Sequence, residues 1–131
     1  MKVLWISKHT PLPTQIAELK RLYGEDVEIN KYDNPYASAA DIVKTYRQGF
    51  YNEMVLIAPL SVCRIIVGYG IKPLYSQMEQ LNKADPRIEI SVNNSKEKTN
   101  GYARHYRFVR FKRMEKLEIV FSELESPNLD S

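Results

Sequence analysis

The sequence predicts an α/β domain built on a mostly parallel sheet. Up to about residue 80, short apolar runs typical of buried strands alternate with segments whose apolar residues recur at helical spacing. This order, βαβαβαβ, requires crossover helices on both faces of a parallel sheet. The remaining residues show strand-like patterns without a helix between them. We therefore expect a Rossmann-like three-layer sandwich followed by a C-terminal antiparallel β-hairpin.

The first strand and helix are the best defined elements. A strand is expected at 2–7 and a helix at 13–23, where Pro11 and Pro13 suit a helix start and Gly24 suits its left-handed end. The later strands are expected at about 27–32, 53–58, 71–78, 87–92, 102–112 and 117–121, and the later helices at about 38–49 and 62–69.

The second helix carries its own start signal and a clear apolar face. Ser38 is a plausible N-cap, with Asp41 three residues later. The apolar face comprises Ala39, Ile42, Val43, Tyr46 and Phe50. We expect the aromatic residues Trp5, Tyr46 and Phe50 to lie in the core or in a subunit interface.

Length and composition indicate one ordinary globular domain. The chain has 131 residues, of which 44% are hydrophobic and 27% charged, and we assign 1–124 to a single domain and 125–131 to an acidic tail. It contains neither an apolar run of about 18 residues nor a signal peptide, so a cytoplasmic location without membrane contact is expected. The single cysteine, Cys63, excludes an internal disulfide and is expected to be a buried structural thiol.

The positive charge is concentrated near the end of the chain. The net charge is +3, and residues 96–113 carry seven basic residues against Glu97, or +6, which leaves −3 for the rest. Such a local excess is expected of a surface that faces an anionic partner.

The loop at 7–10, which follows the first strand, is the leading candidate site. If the first two helices lie on opposite faces, the first strand is central and the 7–10 loop lies beside residues 58–61. The helix that starts at about residue 62 would then direct its N-terminus into this crevice, where it favours an anion.

Within this crevice we assign candidate roles to individual residues. His9 could act as a general base or acid or as a phosphate ligand, or could only hydrogen-bond the backbone of its loop. Lys8 could bind phosphate or be merely solvated, and Ser61 could equally be a helix N-cap. The candidate catalytic residues are Ser7, Lys8 and His9, and the candidate ligand-binding residues are Thr10, Gln15, Ser61 and Arg64.

Other common site types find little support. The residues 68–70, Gly-Tyr-Gly, follow a helix rather than a strand, so we reject a dinucleotide loop, and there is no Walker motif. The two histidines, His9 and His105, do not have metal-ligand spacing, and nothing in the sequence argues for a metal or another cofactor.

The segment 104–112 interleaves basic and aromatic residues. Strict strand alternation would place Arg104, Tyr106, Phe108, Arg110 and Lys112 on one face and His105, Arg107, Val109, Phe111 and Arg113 on the other. Such a segment suits nucleic-acid or anion contact through Arg104, Arg107 and Arg110. The alternative is an edge hairpin whose cations discourage aggregation.

The residues Ser7-Lys8-His9, followed by Pro11, Pro13 and Gln15, resemble the opening of small single-domain ring nucleases related to CARF domains of CRISPR antiviral defence. The segment 105–111 is also similar to the basic, aromatic closing strand of some members. The resemblance implies a Rossmann-like homodimer that binds cyclic oligoadenylate, an RNA ring, across its two-fold axis. Some members cut the ring without a metal, by attack of a ribose 2′-hydroxyl on the adjacent phosphate. By position, the functional loop would comprise Ser7, Lys8 and His9.

Two other functions remain open from the sequence. One is a non-enzymatic nucleic-acid-binding accessory protein that uses residues 102–113, and the other is a dimeric interaction domain without nucleotide affinity.

Overall fold

The computed structural model describes residues 1–34, 37–93, 103–118, 122 and 124. Within these residues three helices alternate with the first four strands, in the order that the sequence predicts. The helices are α1 (Pro13–Tyr23), α2 (Ala39–Gln48) and α3 (Leu60–Gly68). The strands are β1 (Lys2–Ile6), β2 (Glu28–Lys31), β3 (Glu53–Leu56), β4 (Leu74–Leu81), β5 (Ile90–Asn93) and β6 (Ala103–Arg113).

These strands form one mixed sheet in the order β2-β1-β3-β4-β6-β5. β1 pairs in parallel with β2 and β3, and β3 pairs in parallel with β4. β6 runs antiparallel to both of its neighbours, β4 and β5. The expectation of a mostly parallel sheet is therefore wrong, because the chain adds its last strands as antiparallel neighbours, which need no crossover helix.

The antiparallel part is built from different strands than the sequence predicts. β6 pairs with β4 on one side and β5 on the other, so neither of its edges is free for a hairpin with residues 117–121. Residues 114–118 have no strand structure, and residues 119–121 lie outside the described residues. Met114 and Leu117 instead pack against the apolar cluster that contains Cys63 of α3.

Alternation along β1 divides the core between the two faces of the sheet. Val3 and Trp5 pack with Leu19 of α1, whereas Leu4 and Ile6 pack in a cluster with residues of α2 and α3. We refer to these two sides as the α1 face and the α3 face. The positions of β1 and β3 inside the sheet, and of the first two helices on opposite faces, confirm the sequence-based expectations.

The start of α2 is as predicted, but its aromatic face is not. The Ser38 hydroxyl accepts from the Asp41 N–H at 3.1 Å, and the Asp41 carboxylate accepts from the Ser38 N–H at 3.2 Å. Trp5 is buried and Tyr46 is partly buried against the α3-face cluster. Phe50 lies beyond the helix at a positive φ of 54° and is 85% exposed, so the expectation that it could lie in the core is wrong.

Directly opposed residues of β4 and β6 share a face of the sheet. Ser76 of β4 faces α1, because its hydroxyl accepts a hydrogen bond from the Gln15 side chain at 3.0 Å. Phe111 lies opposite Ser76 and packs edge-on against Trp5, with 6.4 Å between the ring centroids. The register thus assigns each β6 side chain to a face.

A β-bulge in β6 determines which of these side chains lie on each face of the sheet. Gln77 lies opposite Arg110, but the next residue, Met78, lies opposite Phe108, so Val109 is the extra residue. Beyond Val109 the alternation is reversed, and the strict alternation expected from the sequence is wrong. The α1 face receives Tyr106, Phe108 and Phe111, and the α3 face receives His105, Arg107, Arg110 and Lys112.

A partly buried ion pair connects β6 to the amino end of β3. Arg113 donates to both oxygens of the Glu53 carboxylate at 2.6 and 2.8 Å, and the Tyr23 hydroxyl donates to the same carboxylate at 2.7 Å. The hydrogen bonds that Arg113 donates to the Glu53 carboxylate raise the pKa of the guanidinium. Burial, reinforced by the Glu53 carboxylate, raises the pKa of the Tyr23 phenol. The sequence does not predict this cluster, because Glu53 precedes an apolar run and Arg113 is far away in the chain.

Candidate functional site

A cavity of about 200 Å³ opens at the carboxyl ends of β1 and β3, between the start of α1 and the strands β5 and β6. It lies where open α/β sheets bind their ligands. Its polar lining residues are Ser7, His9, Thr10 and Gln15. Its apolar and aromatic lining residues are Trp5, Leu12, Ile57, Met78, Ile90, Val92 and Tyr106.

The 7–10 loop is held in place by hydrogen bonds to its own backbone. The indole N–H of the buried Trp5 donates to the His9 carbonyl oxygen at 3.1 Å. The His9 N–H in turn donates to the Ser7 hydroxyl at 3.1 Å. These bonds use the main chain of His9, so its exposed imidazole stays at the cavity and, among the described residues, has no hydrogen-bond partner. Such an imidazole is available to a ligand.

Gln15 lines the cavity but is engaged within the protein. It is 3% exposed. Its side-chain oxygen accepts from the Leu12 N–H at 2.8 Å, and its amide nitrogen donates to the Ser76 hydroxyl at 3.0 Å. Gln15 therefore fastens the first turn of α1 to β4, a positioning role that the sequence does not indicate.

Lys8 lies on the same loop but is not part of the cavity lining. Its side chain is exposed, and its carbonyl oxygen accepts a long hydrogen bond of 3.5 Å from the Lys31 ammonium. Lys31 also forms an ion pair with Asp33 at 3.6 Å, so its charge is partly neutralised. Lys8 has no ion-pair partner among the described residues, and its charge favours an anion at the loop.

The structure does not bring Ser61 and Arg64 into this cavity. They line a second cavity of about 180 Å³, together with Leu60, Leu117 and Glu118. α3 begins at Leu60 with Pro59 at the N-cap, so the interpretation of Ser61 as the N-cap is wrong. The single crevice expected between the 7–10 and 58–61 loops is divided in the structure, and Ile57 is the β3-side residue that reaches the first cavity.

Four of the seven apolar and aromatic lining residues come from strands that the sequence did not assign to this site. Met78, Ile90, Val92 and Tyr106 belong to β4, β5 and β6. They reach the cavity because β5 and β6 continue the sheet beyond β4 on the α1 face. The only signal in the sequence was the apolar alternation of Ile90 and Val92, which had no assigned partner.

The predicted nucleic-acid contacts are separated by the fold. Arg107 and Arg110 share the α3 face, and Arg107 forms an ion pair with Glu79 of β4. Arg104 lies opposite Val92, a cavity residue, and therefore belongs to the α1 face. The interpretation of these cations as protection for a sheet edge is wrong for β6, because strands flank it on both sides.

The described residues contain no cluster of three or more side chains suited to hold a metal ion. Cys63 is buried, its thiol points to the Ala58 carbonyl oxygen at 3.5 Å, and burial raises its pKa, as expected for a structural thiol. In the part of the chain that the structure describes, no helix combines the length and apolar character needed to cross a bilayer.

Comparisons of this chain with protein-family models, with curated proteins and with solved structures found no match. The geometry of the cavity and its surroundings is therefore the basis of the functional argument.

Proposed function

We propose that this chain binds a nucleotide whose base enters the cavity and whose phosphate lies at the 7–10 loop. The proposal rests on one observation: the cavity combines an aromatic and aliphatic wall with a polar rim of Ser7, His9 and Thr10 at the carboxyl end of β1. Apolar pockets with a few convergent polar groups are typical of small-molecule sites.

The size of the cavity favours one flat ring. About 200 Å³ is small beside the roughly 300–1,000 Å³ of pockets that hold drug-sized ligands. A base could pack against Tyr106 and Met78, and the sugar and phosphate would remain at the mouth. A ligand with several bases would then present one base to each cavity.

The rim supplies what a phosphate needs. The imidazole of His9 and the hydroxyl of Thr10 offer hydrogen bonds, and Lys8 supplies positive charge on the same loop. Because Ser7 and Trp5 hydrogen-bond the His9 backbone, only the side chains of the loop need to be ordered on binding.

Cyclic oligoadenylate is the candidate ligand on the basis of the sequence resemblance. In this proposal the chain is a Rossmann-like, cytoplasmic homodimer that places one adenine in each cavity. Cleavage would proceed by attack of a ribose 2′-oxygen on the adjacent phosphorus, with loss of the 5′-oxygen. The products are a 2′,3′-cyclic phosphate and a 5′-hydroxyl. His9 accepts the proton of the 2′-hydroxyl, and water protonates the departing 5′-oxygen. Ser7 positions the His9 backbone, and Lys8 stabilises the charge on the phosphoryl oxygens.

Calorimetric titration with adenosine 5′-monophosphate and with cyclic tetra- and hexa-adenylate tests binding. We expect the wild-type protein to bind at least one of them, and both His9→Ala and Tyr106→Ala to weaken binding tenfold or more. Lys44→Ala serves as the control because it removes an exposed cation on α2, and it should bind as the wild type does. If none of the three compounds binds, the nucleotide proposal fails, and a stable dimer without affinity would favour an interaction domain.

Chromatography of cyclic tetra- and hexa-adenylate after incubation with the protein and a metal chelator tests cleavage separately. Linear products with a 2′,3′-cyclic phosphate that are lost in His9→Ala support the ring-nuclease step. If the protein bound the rings tightly but left them intact, the cleavage proposal would be refuted and the binding proposal would stand.

A further inference from the structure

We infer that the α3 face of the β4-β6-β5 part of the sheet binds single-stranded nucleic acid through an evenly spaced row of cations on β6. The row consists of Arg107, Arg110 and Lys112, which lie opposite Glu79, Gln77 and Tyr75 of β4. This surface is separate from the cavity, which opens on the α1 face.

The bulge at Val109 creates the even spacing. In the sequence, Arg107 and Arg110 are three residues apart and Arg110 and Lys112 are two apart. Their partners Glu79, Gln77 and Tyr75 are each two residues apart on β4. At about 3.4 Å per residue, successive cations therefore follow at about 7 Å along the strand. A regular row of this kind suits a polymer that carries one negative charge per repeat.

Most of the positive charge in this row is not neutralised within the described residues. Arg110 and Lys112 are exposed, and among the described residues neither has an ion-pair or hydrogen-bond partner. Arg107 shares its charge with Glu79. Glu79 is also the one acidic side chain that the described parts of these three strands place on this face. Cations without local partners bind phosphates through charge and release of counterions.

An aromatic ring lies at one end of the row. Tyr75, opposite Lys112, is 49% exposed. The cluster beneath α2 and α3 contains no residue of β4, β5 or β6, so it does not account for this side of the sheet. An exposed tyrosine beside cations is the combination on which unpaired bases stack while their phosphates meet basic side chains. An acidic peptide would use the charges but not the ring, and a duplex hides its base faces. We therefore assign the surface to single strands.

Fluorescence anisotropy with a labelled 20-nucleotide polyuridylate, measured over a range of salt concentrations, tests the assignment. The double variant Arg110→Glu/Lys112→Glu should weaken binding tenfold or more and reduce the slope of log K against log salt by about 1.4, at about 0.7 per phosphate contact. Tyr75→Ala should weaken binding fivefold or more. His9→Ala should leave binding unchanged, which separates this site from the proposed nucleotide site.

The matched control is Arg21→Glu/Lys44→Glu, which changes the net charge equally at exposed positions on α1 and α2. It should bind within threefold of the wild type. Arg110→Gln/Lys112→Gln provides a milder variant, and circular dichroism verifies that each protein is folded. Equal losses in the row and control variants would overturn the proposal, since they indicate only net charge. Equal competition by poly-L-glutamate or by a 20-base-pair duplex would overturn it as well, and so would unchanged binding by Tyr75→Ala.

Discussion

Gln15 shows how one polar side chain can organise a region of the core. It is almost completely buried, and its two ends bond the Leu12 backbone and the Ser76 hydroxyl. Buried amides are stable only when their hydrogen-bonding groups are paired. Because Ser76 belongs to β4 and Leu12 leads into α1, these bonds fix the start of α1, which lines the cavity, to β4.

Truncation of Gln15 should therefore destabilise the fold. Gln15→Ala removes both bonds and leaves a void, and we expect it to lower the free energy of unfolding by about 1–3 kcal/mol in urea titrations. Gln48→Ala, at an exposed position of α2, should change it by less than about 0.5 kcal/mol. If Gln15→Ala weakened nucleotide binding at unchanged stability, Gln15 would be a ligand contact rather than a positioning residue.

The carboxylate of Glu53 accepts from two side-chain donors, Arg113 and Tyr23, so its removal affects both. Glu53→Gln leaves the Arg113 guanidinium without its counter-charge in a partly buried place. Because the Arg113 side chain is 37% exposed, water screens part of the loss, and we expect a cost of about 1–3 kcal/mol in urea unfolding. The more exposed pair of Glu79 and Arg107 should cost less than about 1 kcal/mol on Glu79→Gln. Equal costs for the two variants would contradict the role of burial.

The raised pKa of Tyr23 predicts a loss of stability in alkali. The unfolded chain loses the phenol proton near pH 10, whereas the folded protein retains it to higher pH. The contribution is thus complete below about pH 10 and is lost as the pH rises through the folded-state pKa. Thermal melts between pH 8 and 12 should show a steeper decline for the wild type than for Tyr23→Phe. Parallel curves would show that Tyr23 titrates alike in both states.

At the scale of elements, the bulge at Val109 has the largest consequence. It allows Phe108 and Phe111, three residues apart, to lie on one face, where their ring centroids are 4.8 Å apart. It also places Arg113 on the α1 face, where Arg113 and Tyr23 both donate hydrogen bonds to Glu53. One extra residue therefore supports both the aromatic packing and the ion pair.

Two single-residue deletions in β6 distinguish the effect of the bulge itself from the effect of the pairing register that it sets. Removal of Val109 should close the bulge and leave the faces of the flanking residues unchanged, at a cost below about 2 kcal/mol in urea unfolding. Removal of Lys112 should turn Arg113 away from Glu53 and cost at least about 1 kcal/mol more. The interpretation would be refuted if the deletion of Val109 were the more damaging of the two.

The elements themselves were largely predictable from local patterns. The helix of α1 and the Ser38 cap of α2 follow from proline, glycine and capping signals, which act within a few residues. The bulge was not predictable, because it depends on which residue of β4 faces Phe108. The pairing of β6 was missed for the same reason, since partners in a sheet are chosen by long-range packing rather than by the strand's own sequence.

At the scale of the whole molecule, the site was predicted in part. The position of Ser7, His9 and Thr10 at a cavity follows from the rule for open α/β sheets, once β1 is placed inside the sheet. The opposite wall was missed because Ile90 and Tyr106 reach it only through the order β4-β6-β5. Ser61 was misplaced because α3 starts at Leu60, so that this serine lines a different cavity.

The sheet also separates the two proposed surfaces, and this separation is testable. The cavity lies on the α1 face and the cation row on the α3 face. Substitutions at separate sites with no shared partners usually add to within about 0.5 kcal/mol. We therefore expect His9→Ala to weaken nucleotide binding by the same factor in the wild type and in Arg110→Glu/Lys112→Glu, as measured by calorimetry.

The bulge in β6 connects the two surfaces, because Tyr106 of the cavity and the cation row lie on the same strand. Phe108 lies on the α1 face and Arg110 on the α3 face, at the two residues that flank Val109. Both would move if the register of β6 shifted. A coupling free energy above about 1 kcal/mol between His9 and the cation pair would mean that ligand binding changes this register. In that case, deletion of Val109 should abolish the coupling while both ligands still bind, because a regular ladder has only one register that buries Phe108 and Phe111.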